Sequence, residues 1–313
     1  MTAINTNYKN DTSSMEAIEE QLKNIADAGF SHVQWGHDWL GEYIYSNIEM
    51  VQIKRLLSQY HFKVKGIHAT EGGTRYEKGR LNFGYRYTNR KDYTSLNEYT
   101  RLAGIDLIKN RVDLACMIDA KEIILHMQLP YRELRENKEF KKRYWEQTFK
   151  SFDELESYCK TRGVKIAMEN LLTPQNDQTD QFDRLFDRYK VDFMGFCFDS
   201  GHGSLVGLED HLFFAKRYTD RIIAVHLQDT DGIPPELIDD DLAVLTHDKH
   251  ALPFTGVINW DELARLVAQS PYELPVTLEV ILAGDTHDKE ISLLKEAFAC
   301  AEKLNKMVEK YRK

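Results

Sequence analysis

Apolar and polar positions along this chain follow two alternating rhythms. Short runs rich in β-branched and aromatic residues are separated by longer stretches with an apolar position every three or four residues. Eight strands are predicted, at residues 2–7, 32–35, 63–68, 122–127, 164–170, 194–199, 222–229 and 275–280. The stretches between them read as amphipathic helices. "SSMEAIEEQLKNIADAG", for example, opens on serine caps with a glutamate in the first turn and closes on glycine. Eight β-then-α units in one chain predict a parallel (β/α)8 TIM barrel, α/β in class and a single domain over residues 1–313. A doubly wound open sheet is the rival architecture. Against it, no GxGxxG or P-loop follows an early strand, and polar groups end at least five strands rather than gathering at one switch point.

Composition narrows the class. The chain has 313 residues, 42% of them hydrophobic, enough to bury a large core. No run of 18 apolar residues occurs, and the start "MTAINTNYKN" has neither the basic residues nor the apolar stretch of a signal peptide, so a soluble cytoplasmic protein with no membrane partner is expected. Cys116, Cys159, Cys197 and Cys300 form no CxxC pair and read as reduced core thiols. A formal net charge of −9 argues against a surface built to neutralise phosphates, and hence against nucleic acid as partner.

In a βα barrel the C-terminal strand ends share one face, so residues there converge although distant in sequence. At these ends stand His68, His126, Glu169, Asp199 with His202, His226 with Asp229, and Glu279. Singly, each has a plain structural reading: His126 a hydrogen-bonded core histidine, Asp199 the cap of the next turn, His202 a turn residue. Together, three converging carboxylates without a cation would repel one another and raise their own pKa values. Glu169, Asp199, His226 and Glu279, one from each of the last four strands, offer three hard oxygens and one imidazole for a single divalent metal ion. That donor set suits Mn²⁺ or Mg²⁺ and leaves Zn²⁺, Co²⁺ and Fe²⁺ open. Asp229 and the amide of Asn170 are expected to orient these ligands. A metal at that position would polarise a ketose carbonyl and stabilise the ene-diolate left by proton abstraction, with Glu169 and Glu279 as bases on opposite sides. Return of the proton to the same carbon is epimerisation, and to its neighbour isomerisation; the sequence leaves both open.

The strand ends "AMEN", "CFDSGHG", "VHLQD" and "LEV", followed by "DKHALPFTGVINW", resemble the xylose isomerase-like TIM-barrel superfamily along essentially the whole chain. That superfamily holds sugar and sugar phosphate isomerases and epimerases, usually dimers or tetramers, and also the endonuclease IV type of repair enzyme. The resemblance implies a sugar or sugar phosphate substrate, a homo-oligomer, metal binding by the quartet, proton exchange by Glu169 and Glu279, and a substrate contact from His202. The endonuclease branch implies instead a three-zinc site on nine positions: His68, His126, Glu169, Asp199, His202, His226, Asp248, His250 and Glu279. Many sugar-isomerase members carry the same D-x-H pair, here Asp248 and His250, followed by P-G-x-G. This chain reads "DKHALPFTG", with Phe254 where a glycine is usual, and an acidic insertion containing Asp239, Asp240 and Asp241 precedes it. Sugar chemistry is therefore the reading adopted, zinc-dependent phosphodiester hydrolysis the alternative, and a non-catalytic ligand-binding barrel the third. For substrate contacts the expected set is His202, His68, His126, His250 and Trp39, with Trp35 equally a packing residue. Asp248 and His250 are possible additional metal ligands. Arg75, Arg80, Arg86 and Arg90, in the connection after the third strand, are candidates for a phosphate or a partner subunit.

Overall fold

The computed structural model describes residues 1–9, 14–38, 42–70, 76–77, 80–81, 90–207 and 209–312. All eight predicted strands form: β1 (Ala3–Asn5), β2 (His32–Trp35), β3 (Lys63–Thr70), β4 (Glu122–Leu125), β5 (Lys165–Glu169), β6 (Met194–Asp199), β7 (Ile222–His226) and β8 (Thr277–Leu278). They pair in parallel in the order β8-β1-β2-β3-β4-β5-β6-β7. One residue beyond β7 the barrel closes: Leu227 N–H donates to Thr277 O at 3.0 Å, and Glu279 N–H to Leu227 O at 3.2 Å. A short antiparallel pair, Tyr76–Glu77 with Arg80–Leu81, lies in the connection after β3.

Helix ends follow the capping chemistry written in the sequence. The Ser14 hydroxyl accepts from Ala17 N at 3.1 Å at the start of Met15–Asp27. Ser46 and Glu49 form a reciprocal capping box at the start of Asn47–Gln59. Gly163 ends Lys138–Arg162 in the left-handed region at φ 64°.

Strand alternation separates two environments. Outward residues of β6, Phe196 and Phe198, are fully buried under helices, and the Phe196 ring meets Phe182 edge-on at 5.1 Å. Inward, Ile124, Ala167, Cys197 and Ala224 form a small apolar layer of their own. Two residues further along three of these strands come Glu169, Asp199 and His226, so the same alternation that builds the layer stacks the ionisable groups directly above it. The cysteines divide: Cys159 and Cys197 are buried, Cys300 is half-buried, and Cys116 is exposed, which corrects the expectation of four core thiols. Among the described residues no helix is long and apolar enough to cross a membrane.

At the opposite end of the barrel, burial pushes the Glu122 carboxyl up to about 7, with Lys65 opposing the shift. Its folded pKa lies above its unfolded one, so the unfolded chain ionises first and this group makes the fold less stable as pH rises from 5 to 8. Glu122→Gln is expected to stabilise the protein by about 1–2 kcal/mol at pH 8, allowing for residual solvent screening, and to leave stability at pH 5 unchanged. Urea midpoints at the two pH values measure this; an equal gain at both would refute the assignment.

Candidate functional site

The four residues expected as metal ligands come together. One ligand atom from each of Glu169, Asp199, His226 and Glu279 lies within 4.8 Å of all the others. Glu169 Oε1 is 3.1 Å from His226 Nδ1, and Glu279 Oε2 is 3.0 Å from the same nitrogen. Neither Glu169 Oε1 nor His226 Nδ1 makes a hydrogen bond, although both are fully buried. Orphaned buried polar atoms that face one another mark a place fitted for a cation. The donor set, three carboxylates and an imidazole, fits a divalent ion.

The electrostatics describe the same unresolved charge. Burial alone would raise Glu169, but His226 and His126 hold it well below the usual carboxylate range. Burial likewise opposes the ionised form of Glu279, yet His226 brings it down to about 2. Asp199 goes the other way, pushed up to about 7 by burial and by the neighbouring carboxylates in spite of His202. His226 is held protonated against burial by the Cys197 sulfur and the two glutamates. In the metal-free protein a proton on His226 thus occupies the place where a cation would balance the carboxylates.

His68 and His126 stand beside this group. His126 Nε2 lies 3.1 Å from Glu169 Oε2. His68 Nε2 lies 3.7 Å from both Glu169 Oε2 and Glu279 Oε1, and burial drives its pKa down to about 3, leaving a neutral ring between two carboxylates. His202, Asp248 and His250 form a second cluster: Asp248 Oδ2 is 3.2 Å from His202 Nε2 and 3.3 Å from His250 Nε2. His202 joins the two clusters, with its Nδ1 donating to Asn170 O at 2.8 Å and lying 3.4 Å from Glu169 Oε1. All nine positions singled out in the sequence therefore meet at the C-terminal mouth of the barrel.

Several local expectations need correction. The segment after Asp199 is not a turn but a short helix, Ser200–Val206, with Asp199 as its cap through a 2.7 Å bond from His202 N–H. Asp199 thus carries its structural role and its place in the quartet at once. Asp229 does not orient the ligands. Its carboxylate accepts from Thr230 N at 3.0 Å, Ile258 N at 3.3 Å and Trp260 Nε1 at 3.0 Å, pinning the ends of the following connection. Asn170 does act on the quartet, exchanging bonds of 2.8 and 2.9 Å with the Asp199 backbone. Trp35 is fully buried, its Nε1 donating to Tyr45 Oη at 3.1 Å, and walls no pocket. Trp39, Arg75 and Arg86 lie outside the described residues, as does the side chain of Arg80; the Arg90 backbone N–H donates to Glu42. Phe254 adopts φ 75°, the left-handed backbone a glycine would take easily, and its ring packs 5.4 Å from Trp260 under the Lys303 ammonium. The acidic run lies in the connection that supplies Asp248, where Asp240 caps the helix Asp241–His247.

Two glutamines escaped the sequence reading. Gln34 Nε2 lies 2.6 Å from His226 Nε2, at the ring nitrogen that does not face the two glutamates. Gln228 Nε2 lies 3.2 Å from Asp199 Oδ2 and 3.2 Å from Asp248 Oδ1. For Gln228 the available signal was its place two residues after His226; Gln34 lies on β2, which carries no site residue to mark it.

This barrel and its mouth define the class. The chain belongs to the xylose isomerase-like TIM barrel family, whose sequence profile matches residues 22–298. It is 31% identical over 298 residues to the uncharacterized protein y4fM of Sinorhizobium fredii (strain NBRC 101917 / NGR234), across 94% of this chain and 90% of that one. A shorter likeness, 28% over 141 residues, covers 43% of this chain and 46% of inosose dehydratase 2 from Bacillus cereus. Among solved structures, D-psicose 3-epimerase in the presence of D-fructose aligns with TM-score 0.67 at 12% identity, covering 97% of this chain and 99% of that one. L-ribulose 3-epimerase aligns with TM-score 0.65 at 13% identity, covering 99% and 95% respectively. At such identities the structural likeness establishes the fold.

Proposed function

We propose that this protein is a divalent-metal-dependent sugar-modifying enzyme that moves a proton at a carbon next to a carbonyl, as a ketose epimerase or aldose–ketose isomerase. The observation that carries the reading is the meeting of two carboxylates from different strands, Glu169 from β5 and Glu279 from the residue after β8, at 3.1 and 3.0 Å from one nitrogen of a buried imidazole, His226 Nδ1. Two carboxylates so placed can address opposite faces of a carbon held between them. Glu169, Asp199, His226 and Glu279 would hold the metal, whose contribution when bound is to draw electron density from the carbonyl and the adjacent hydroxyl. One glutamate then takes the proton and the other returns it. His68, neutral, adds no charge that would oppose either step, and a substrate contact from His202 or His250 would replace its bond to Asp248. Mn²⁺ or Mg²⁺ matches the oxygen-rich donors best. The names of the relatives agree in chemical class, since epimerisation of a ketose and dehydration of an inosose can both begin with loss of a proton beside a carbonyl.

Phosphodiester hydrolysis is the second reading, because the nine positions do converge, in four potential ligand groups, three of which share residues. The experiment is deuterium incorporation from D₂O into a panel of ketoses and inososes by Mn²⁺-loaded protein, run beside a nicking assay on abasic DNA. Carbon-bound deuterium with an epimer, an aldose or a dehydrated product supports the proposal. Nicking without exchange overturns it.

A further inference from the structure

We propose that Gln228 is the positioning residue that aims Asp199 at the metal and joins it to Asp248, and that Gly201 is a glycine in order to leave room for it. The inference rests on the reading that the quartet holds a divalent ion. Gln228 follows His226 by two residues and so projects from the same side of the extended chain. Its backbone is fastened by one hydroxyl: Gln228 N–H donates to Ser200 Oγ at 3.0 Å, and Ser200 Oγ–H donates to Gln228 O at 2.6 Å. The side chain crosses the face of Gly201, where a Cβ would stand only 2.4 Å from Gln228 Cδ. Gly201 has no positive φ, so space and not backbone freedom calls for glycine there.

The amide reaches two carboxylates. Its nitrogen lies 3.2 Å from Asp199 Oδ2, 3.3 Å from Asp199 Oδ1 and 3.2 Å from Asp248 Oδ1. An amide NH₂ has two hydrogens, one for each acid, and with both acids ionised, as a bound cation would keep them, neither could donate to the opposite end of the amide. The amide oxygen is buried without a donor, which is the cost of pointing the nitrogen this way. Asp199 is then held from two directions, by the His202 N–H at 2.7 Å and by Gln228. Asp248 is held from the other side by His202 and His250 at 3.2 and 3.3 Å. Without the amide, the two acids would keep His202 as their shared partner, its backbone N–H on Asp199 and its ring on Asp248, but would lose the group that bonds both carboxylates directly. Gln228 thus transmits the position of the connection bearing Asp248 to a ligand on β6.

The test is Mn²⁺ titration calorimetry on metal-stripped wild type, Gln228→Ala, Gly201→Ala, the double variant and Asp199→Asn, with the melting temperature of each metal-free protein measured alongside. Gln228→Ala and Gly201→Ala are each expected to weaken Mn²⁺ binding roughly 10- to 100-fold. The double variant should bind no more weakly than Gly201→Ala alone, because both changes remove the same contact. Were Gly201→Ala to fail to fold, Gln228→Ala decides by itself. Mn²⁺ affinity within twofold of wild type in Gln228→Ala, whatever its melting temperature, would overturn the proposal, as would losses that simply add. Wild type that binds no Mn²⁺, or Asp199→Asn that binds it as well as wild type, would instead remove the metal reading itself.

Discussion

Glu169→Gln is expected to lower kcat by about 1,000-fold, within the range that a positioned acid or base supplies. Gln has the size of Glu and still fills the fully buried position between His126 and His226, so the loss reports chemistry more than packing. It cannot accept a proton from carbon. Glu279→Gln should be as damaging, and the pair carries a sharper signature than either rate. If the two carboxylates serve opposite faces, each variant loses deuterium incorporation from one epimer while retaining part of it from the other. Measuring solvent exchange separately with the two epimers of an accepted ketose reads this directly. Wild-type exchange in both variants would end the two-base reading.

His226→Ala is expected to weaken Mn²⁺ binding by at least about 1,000-fold and to destabilise the metal-free protein by about 3–5 kcal/mol at neutral pH, the usual cost of stripping one partner from a buried charged pair. His226 is fully buried between Glu169 and Glu279 and holds both carboxylates in the ionised form. With the imidazole gone, burial and mutual repulsion raise the carboxyl pKa values above those of the unfolded chain. Protonation then relieves the repulsion, so the variant should recover stability as pH falls from 8 to 5 relative to wild type. Chemical denaturation at three pH values tests the sign, and a pH-independent loss would contradict it. Chelation of wild type should abolish turnover, with activity restored by Mn²⁺ or Mg²⁺.

The strands and the quartet were legible for one reason. A charged residue at the inward end of an apolar strand is expensive, and four in succession have few explanations other than a shared site. Glu169 in "KIAME" and Asp199 in "GFCFD" stand out against their own strands. What sequence could not reach is the direction of a side chain once strand pairing stops. Asp229 lies three residues past His226, where a bridge to Ala251 replaces the parallel ladder. There the acid turns outward and its neutral neighbour Gln228 turns in, although charge alone favoured Asp229. Ser200–Val206 was hidden similarly: two glycines in seven residues argue for a turn, and only the Asp199 cap with the close approach of Gln228 accounts for a helix. The exposure of Cys116 was hidden because its helix, Glu98–Met117, shows little segregation of apolar from polar positions.

Asp229 has a mechanical consequence beyond the bonds it makes. One carboxylate binds Thr230 N at the departure of the acidic connection, and Ile258 N and Trp260 Nε1 at its return. The two ends of the span are thus tied to one side chain, with backbone bonds between Asp229 and Ala251 and between Val257 N and Thr230 O closing it further. A change of length or charge between those two ends is therefore borne by these ties, and it reaches the quartet through Asp248, by way of His202 and Gln228, and through His250, beside Glu279.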